Sequence, residues 1–291
     1  MSTDGTHGLT IIAFVGSVFS PYYAMRRRRG AASPENHVAI NVALYGRGGK
    51  RWAMTERGAG ALARDTASFV VGPSSLAWDG NGLTIDIDEV TVPWPSRIRG
   101  RVRVVPDAIV ADTFDIDGIG RHRWRPIAPR CHVEVALTQP SLQWIGTGYH
   151  DHNTGLEPID TAFRRWDWSR AATGDGSVIV YDVTCRQPDI SGPLLGLAIA
   201  RDGAVRRLDL PLRVPLPKSR IWRIARATRC DDGETPTVVE TLEDTPFYAR
   251  SIVSTEIAGT RISAFHESLD LNRFRSPVVQ AMLPFRMPRR G

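Results

Sequence analysis

The sequence predicts an all-β protein of two domains, and three observations carry that expectation. Short runs with period-two alternation of apolar and polar residues recur along almost the whole chain. Glycine-bearing turns separate them at hairpin spacing, as in LAWDGNGLTIDIDEV and LYGRGGKRWAM. The length, 291 residues and 32.1 kDa, exceeds the commonest domain size. Many short strands joined by glycine turns pack as barrels or sandwiches. The expected domains are 1–158 and 159–291, meeting between residues 155 and 170, with most site residues in the first domain or at the interface.

Taken in order, Leu9 to Phe19 reads as a buried strand ending at the SPYY turn, and Arg26 to Arg29 as a solvated loop. HVAINVALYG (37–46) and RWAMTERG (51–58) flank a glycine turn and form a hairpin. After the turn Asp79–Gly82, Leu83, Ile85 and Ile87 alternate with Thr84, Asp86 and Asp88, which puts the two acids on a solvent face. RIRGRVRVV alternates arginine with apolar residues, and the stretch from CHVEVAL to Trp144 is a strand, a turn at Pro140 and a second strand. DTAFRRWDWSR (160–170) reads as a short helix or a linking segment. Beyond it come further strands: GSVIVYDVTCR, LLGLAIA, AVRRLDL, SRIWRIARATR, PTVVETLED, YARSIVSTEIAG and TRISAFHESL. LDLNRFRSPVVQAML supplies a short C-terminal helical segment.

Composition excludes several function classes. A hydrophobic share of 42% with 23% charged residues is that of a folded soluble chain. The net charge of +6 and pI near 9.6 rest almost wholly on arginine, since Lys50 and Lys218 are the only lysines. No nucleic-acid-binding motif accompanies the charge, so no nucleic acid is expected, while a membrane surface fits. Cys131, Cys185 and Cys230 are odd in number and widely spaced, which argues against a disulfide framework or a zinc site and for a reducing cytoplasm. MSTDGTHG lacks the basic start of a secretory signal, and LTIIAFVGSVF is too short to span a bilayer.

The chemistry concentrates in GYHDHNTG, Gly148 to Gly155. In an extended chain Tyr149, Asp151 and Asn153 share one face, while His150 and His152 share the other. In RHRWRP, His122 and Trp124 share a face opposite Arg121, Arg123 and Arg125. A His-x-His pair suggests a metal, yet Asp151 points away from it and no third ligand has suitable spacing, so no metal is expected. Ser141 and Ser169 lack a nucleophile elbow, and no glycine turn opens a phosphate-binding helix, so no cofactor is expected either. What remains is acid–base chemistry by Asp151, His122, Trp124 and Tyr149. The plainer alternatives are a turn aspartate for Asp151 and a core ring for Trp124.

The blocks FVGSVFSPYY, NVALYG with RWAMTERG, IDIDEV, RIRGRV, GRHRWRPIAP, GYHDHN, TPFYARS and HESLDLNRFRSP resemble the acyclic carotenoid 1,2-hydratases, or hydroxyneurosporene synthases, over nearly the whole chain. The resemblance implies two lipocalin-like β domains and cofactor-free addition of water to the terminal 1,2 double bond of an acyclic carotene such as neurosporene or lycopene. It casts Asp151 as the proton donor to C2, leaving a tertiary cation at C1 for water to capture. His122 is then the candidate base for that water, and Trp124 and Tyr149 the rings facing the cation. The implied partners are the carotene, water and a membrane to which a cytoplasmic protein binds peripherally. A pericyclase of related fold and a non-catalytic carotenoid or lipid carrier are the competing readings.

Overall fold

The computed structural model describes residues 1–30, 32–190 and 192–290. Strands dominate it, as expected. The first is β1 (His7–Val15), followed by β2 (Val38–Gly46), β3 (Arg51–Met54), β4 (Leu62–Arg64), β5 (Ser68–Val71), β6 (Ser74–Trp78), β7 (Leu83–Val90) and β8 (Arg97–Pro106). Then come β9 (Phe114–Asp115) and two long strands, β10 (His122–Gln139) and β11 (Ser141–Gly155). The rest of the chain adds β12 (Phe163–Ala172), β13 (Gly176–Cys185), β14 (Leu194–Ala200), β15 (Val205–Arg207), β16 (Arg213–Leu216), β17 (Arg226–Arg229), β18 (Thr237–Asp244), β19 (Tyr248–Ile257) and β20 (Thr260–Asp270).

Two compact units emerge, and neither is contiguous in sequence. The first comprises Met1–Pro106, Cys131–Gly148 and Gln280–Gly291; the second comprises Asp107–Arg130 and Tyr149–Val279. The segments expected were 1–158 and 159–291. The divergence comes from β10 and β11, which change unit midway. Through Cys131–Gln139, β10 pairs with β8 of the first unit, whereas Arg123 and Trp124 pair with β9 of the second.

Within the first unit β2 lies between β1 and β3, and all of Val38–Tyr45 is buried, as befits a strand covered on both faces. The hairpins read from the sequence at Arg47–Lys50 and Asp79–Gly82 are present. Asp79 closes the second by accepting the backbone N–H groups of Asn81 and Gly82, each at 2.9 Å. Asp86 and Asp88 face solvent and pair with Arg101 and Arg97 across β7 and β8.

Within the second unit one antiparallel sheet runs β15-β14-β13-β12-β20-β19-β18, and the ribbon β16–β17 is a separate pair. Its register aligns Tyr181, Trp168, Glu267 and Arg250 as one cross-strand row, with Val183, Trp166, Leu269 and Tyr248 in the next row on the same face. Alternate residues turn to the other face. There the buried Asp167 accepts Arg165 Nε at 2.7 Å, Arg213 Nη2 at 2.5 Å and Ser268 Oγ at 2.5 Å.

Four local expectations are corrected. Pro21–Arg28 is a helix, α1, capped by the Ser20 side chain, rather than a turn and loop. Leu9 to Phe19 is a half-buried strand that stops at Val15. DTAFRRWDWSR is one helical turn, α2 (Ile159–Ala162), and then the central strand β12. SRIWRIARATR is extended only at Arg226–Arg229. The C-terminal helical segment is present as α3 (Leu271–Phe274) and α4 (Pro277–Met282), divided by Ser276–Pro277.

Candidate active site

Both chemical stretches are strand segments of the second unit, so alternation decides which side chains meet. Asp117, which is buried, sets the start of β10. Its Oδ1 accepts the N–H groups of Ile119 and Gly120, and its Oδ2 those of Arg121 and His122, at 2.9–3.1 Å. From there His122 and Trp124 turn inward and Arg121 and Arg123 outward. On β11 Tyr149, Asp151 and Asn153 share a face, as the alternation requires.

Trp124, Tyr149 and Asp151 form a closed triangle of hydrogen bonds. Trp124 Nε1 donates to Asp151 Oδ2 at 2.8 Å and to Tyr149 Oη at 3.1 Å. Tyr149 Oη donates to the same Asp151 oxygen at 2.8 Å. Aromatic rings enclose the triangle. Tyr181 packs on Trp124 with centroids 4.8 Å apart, Phe114 packs on it at 5.7 Å, and Trp168 packs on Tyr149 at 5.6 Å. Tyr181 also donates to Asn153 Oδ1 at 3.3 Å.

The enclosure sets the electrostatics. Burial pushes the Asp151 carboxyl from 3.8 up to about 6, against the opposing effect of the Tyr149 and Trp124 donors; the charge of Glu267 raises it further. Burial also lifts the Tyr149 and Tyr181 phenols well above 10, so both stay protonated donors. Asp151 is therefore a carboxyl that, amid aromatic rings, still carries its proton in a minority of molecules at neutral pH.

The other expected residues fall around this triangle. Trp124 is fully buried between Phe114 and Tyr181, and it meets Asp151 with its N–H edge. His122 is buried too, its ring edge-on to Phe163 at 5.0 Å and its Nε2 without a hydrogen-bond partner. Burial lowers its pKa, so the ring is neutral. A Cβ on Gly155 would lie 2.7 Å from two atoms of that ring, so only glycine lets β11 come this close. His150 and His152 lie on the opposite face, and burial lowers the pKa of each. Among the described residues no group of three or more His, Cys, Asp or Glu side chains is placed to hold a metal.

Sequence reasoning missed Asp117, Trp166, Trp168, Tyr181 and Glu267. The signals were present in the glycine turn of FDIDGIGR and in the alternation WDW. A cleft of about 460 Å³ in the same unit is lined by Phe114, Asp115, Arg123, Leu195 and Arg207. It adjoins the site at Phe114, which packs on Trp124, and at Leu195, the cross-strand partner of Tyr181, and its rim is charged.

An acid held inside the aromatic face of an antiparallel sheet marks an all-β protein of lipocalin-like fold. A solved structure described as a putative AttH from Nitrosomonas europaea shares the fold, with TM-score 0.59 and 14% identity over 92% of this chain and 88% of that one. The family model "Carotenoid hydratase CrtC" matches residues 11–291. An acyclic carotenoid 1,2-hydratase of Thiocapsa roseopersicina is 57% identical over 100% of this chain and 71% of its own length. One of Rubrivivax gelatinosus is 49% identical over 100% of this chain and 72% of its own length. The chain belongs to the carotenoid hydratase family and is a hydro-lyase.

Proposed function

We propose that this hydratase adds water across the terminal 1,2 double bond of an acyclic carotene, without a cofactor, to give a tertiary 1-hydroxy product. The observation that carries the reading is the Asp151 carboxyl, raised to about 6 inside an aromatic enclosure and oriented by Trp124 and Tyr149. An unactivated alkene needs an acid that is protonated and desolvated at the site. Because both donors occupy Oδ2, the transferable proton sits on Oδ1. Its delivery to C2 creates the tertiary cation at C1, which the rings of Tyr149 and Trp168 stabilise by roughly 2 kcal/mol each when desolvated. Asp151 and Tyr149 are catalytic in this account. Trp124 positions the acid through its N–H, and His122, wedged against Gly155, positions the strand end that carries it.

The substrate dissolves in lipid, while no helix among the described residues is long and apolar enough to cross a membrane. Peripheral attachment through Arg26–Arg29 on and just after α1 supplies the missing contact, at about 1 kcal/mol per exposed arginine. Arg289 near the end of the chain is tied to the buried Glu56 and does not join them. The test is incubation with neurosporene in anionic vesicles and heavy-oxygen water, with no added cofactor. One labelled oxygen in the product, formed at a rate that falls as salt rises, is the expected result. Unlabelled product, or none, contradicts the hydration, and a rate indifferent to salt contradicts the electrostatic attachment.

A further inference from the structure

Hydration also requires the removal of a proton from the attacking water, a step that neither Asp151 nor Tyr149 performs. Capture of a cation by neutral water gives a protonated alcohol, a second cation that an apolar enclosure disfavours. A base within reach of that water removes the problem.

The register of the large sheet puts a carboxylate on the same face as the aromatic rings. Glu267 is the direct cross-strand neighbour of Trp168, which in turn packs on Tyr149. It lies on the same face as Tyr181 and Trp168 and keeps part of its surface accessible, with 21% of the side chain exposed. Its partner across β19–β20 is Arg250, only 3% exposed, whose Nε and Nη2 donate to Oε1 at 2.9 and 2.7 Å. Tyr248 Oη donates to the same oxygen at 3.0 Å. Three donors thus converge on Oε1, and among the described residues none donates to Oε2. One carboxylate oxygen is anchored, and the other has no such donor on a side chain that keeps part of its surface accessible.

We propose that Glu267 is the base of the hydration, its Oε2 holding the water that captures the cation. This rests on the hydration reading of the same site and reassigns to Glu267 the base role that the sequence suggested for His122. In the step, a lone pair of the water oxygen forms the new C–O bond at C1 while Oε2 takes one water proton. Asp151, which gave its proton to C2, regains one from solvent, and Glu267 releases one to solvent; the net change is addition of one water. The two carboxyls have opposite tasks because their surroundings differ. Asp151 sits among rings with two neutral donors, and Glu267 is paired with a guanidinium. The effect of the Glu267 charge on Asp151 accords with their facing one enclosure.

The test separates protonation from capture by running the reaction in deuterium oxide. A cation that forms without being captured loses a proton and returns to alkene, which leaves deuterium in the recovered substrate. Glu267→Gln is expected to lower hydration about 100-fold while deuterium exchange into the recovered acyclic polyene continues. Asp151→Asn is expected to lose both. If Glu267→Gln fails to fold because the buried Arg250 loses this carboxylate, the double variant E267Q/R250M is read in the same way. Hydration within a few-fold of the parent, or loss of exchange together with hydration, overturns the assignment. A parent that neither hydrates nor exchanges overturns the hydration reading itself.

Discussion

Asp151→Asn is expected to abolish hydration, with turnover falling roughly 10³-fold, while the protein becomes more stable at alkaline pH. The two effects share a cause. Asparagine is nearly isosteric and still accepts hydrogen bonds from Trp124 Nε1 and Tyr149 Oη, but it has no acidic proton to give. The stability change follows from the sign of the shift. The folded carboxyl, at about 6 against an ordinary 3.8, binds its proton more tightly than the unfolded chain does. Its contribution is fully present below about pH 4 and is lost as pH rises through about 6. At pH 8 the parent carries a buried anion penalty on the order of 3 kcal/mol that the variant lacks. Denaturant unfolding at pH 5 and pH 8 measures it. An aspartate that served only as a turn residue gives active enzyme and no pH-dependent gain.

Trp124→Ala comes next in size. The indole is fully buried between Phe114 and Tyr181, so truncation leaves a cavity and costs about 3–5 kcal/mol. It also removes the N–H that orients Asp151, so turnover is expected to fall roughly 10²-fold even in the folded fraction. Trp124→Phe keeps much of the ring volume and loses only the donor, so its cost in stability is expected to stay below about 2 kcal/mol, with a smaller loss of turnover. Thermal unfolding of the pair with activity at matched folded concentration checks both. Equal losses from Phe and Ala would contradict the packing argument.

What the sequence made legible follows from alternation. Period-two spacing on β10 and β11 was enough to place His122 with Trp124 and Tyr149 with Asp151. Whether the two strands meet depends on register, which no local pattern carries; hydrogen bonds from Trp124 to both Tyr149 and Asp151 settle it. The segment FRRWDWSR was harder for a physical reason. Its second face is buried but polar, because Asp167 turns into a network with Arg165, Arg213 and Ser268 and Ser169 is buried beside it, so the apolar signal of a central strand is erased. Trp166 and Trp168 went unrecognised with it. The contiguous domain division failed to anticipate strands of 18 and 15 residues that serve both units. At α1 the cue was present in Ser20 followed by Pro21, but four successive arginines obscured it.

The central claim is that a neutral Asp151 carboxyl delivers the proton, and the dependence of kcat/KM on pH tests it most directly. With the carboxyl at about 6, roughly one molecule in ten is protonated at pH 7, and the rate is expected to fall tenfold for each further pH unit. Tyr149 donates to the ionised carboxylate and so lowers its pKa; Tyr149→Phe is therefore expected to move the falling limb to higher pH while reducing the maximum. A limb near pH 6 that moves upward in Tyr149→Phe is the predicted result. A profile flat from pH 5 to 9, or a limb that stays in place when the phenol is removed, would contradict the account.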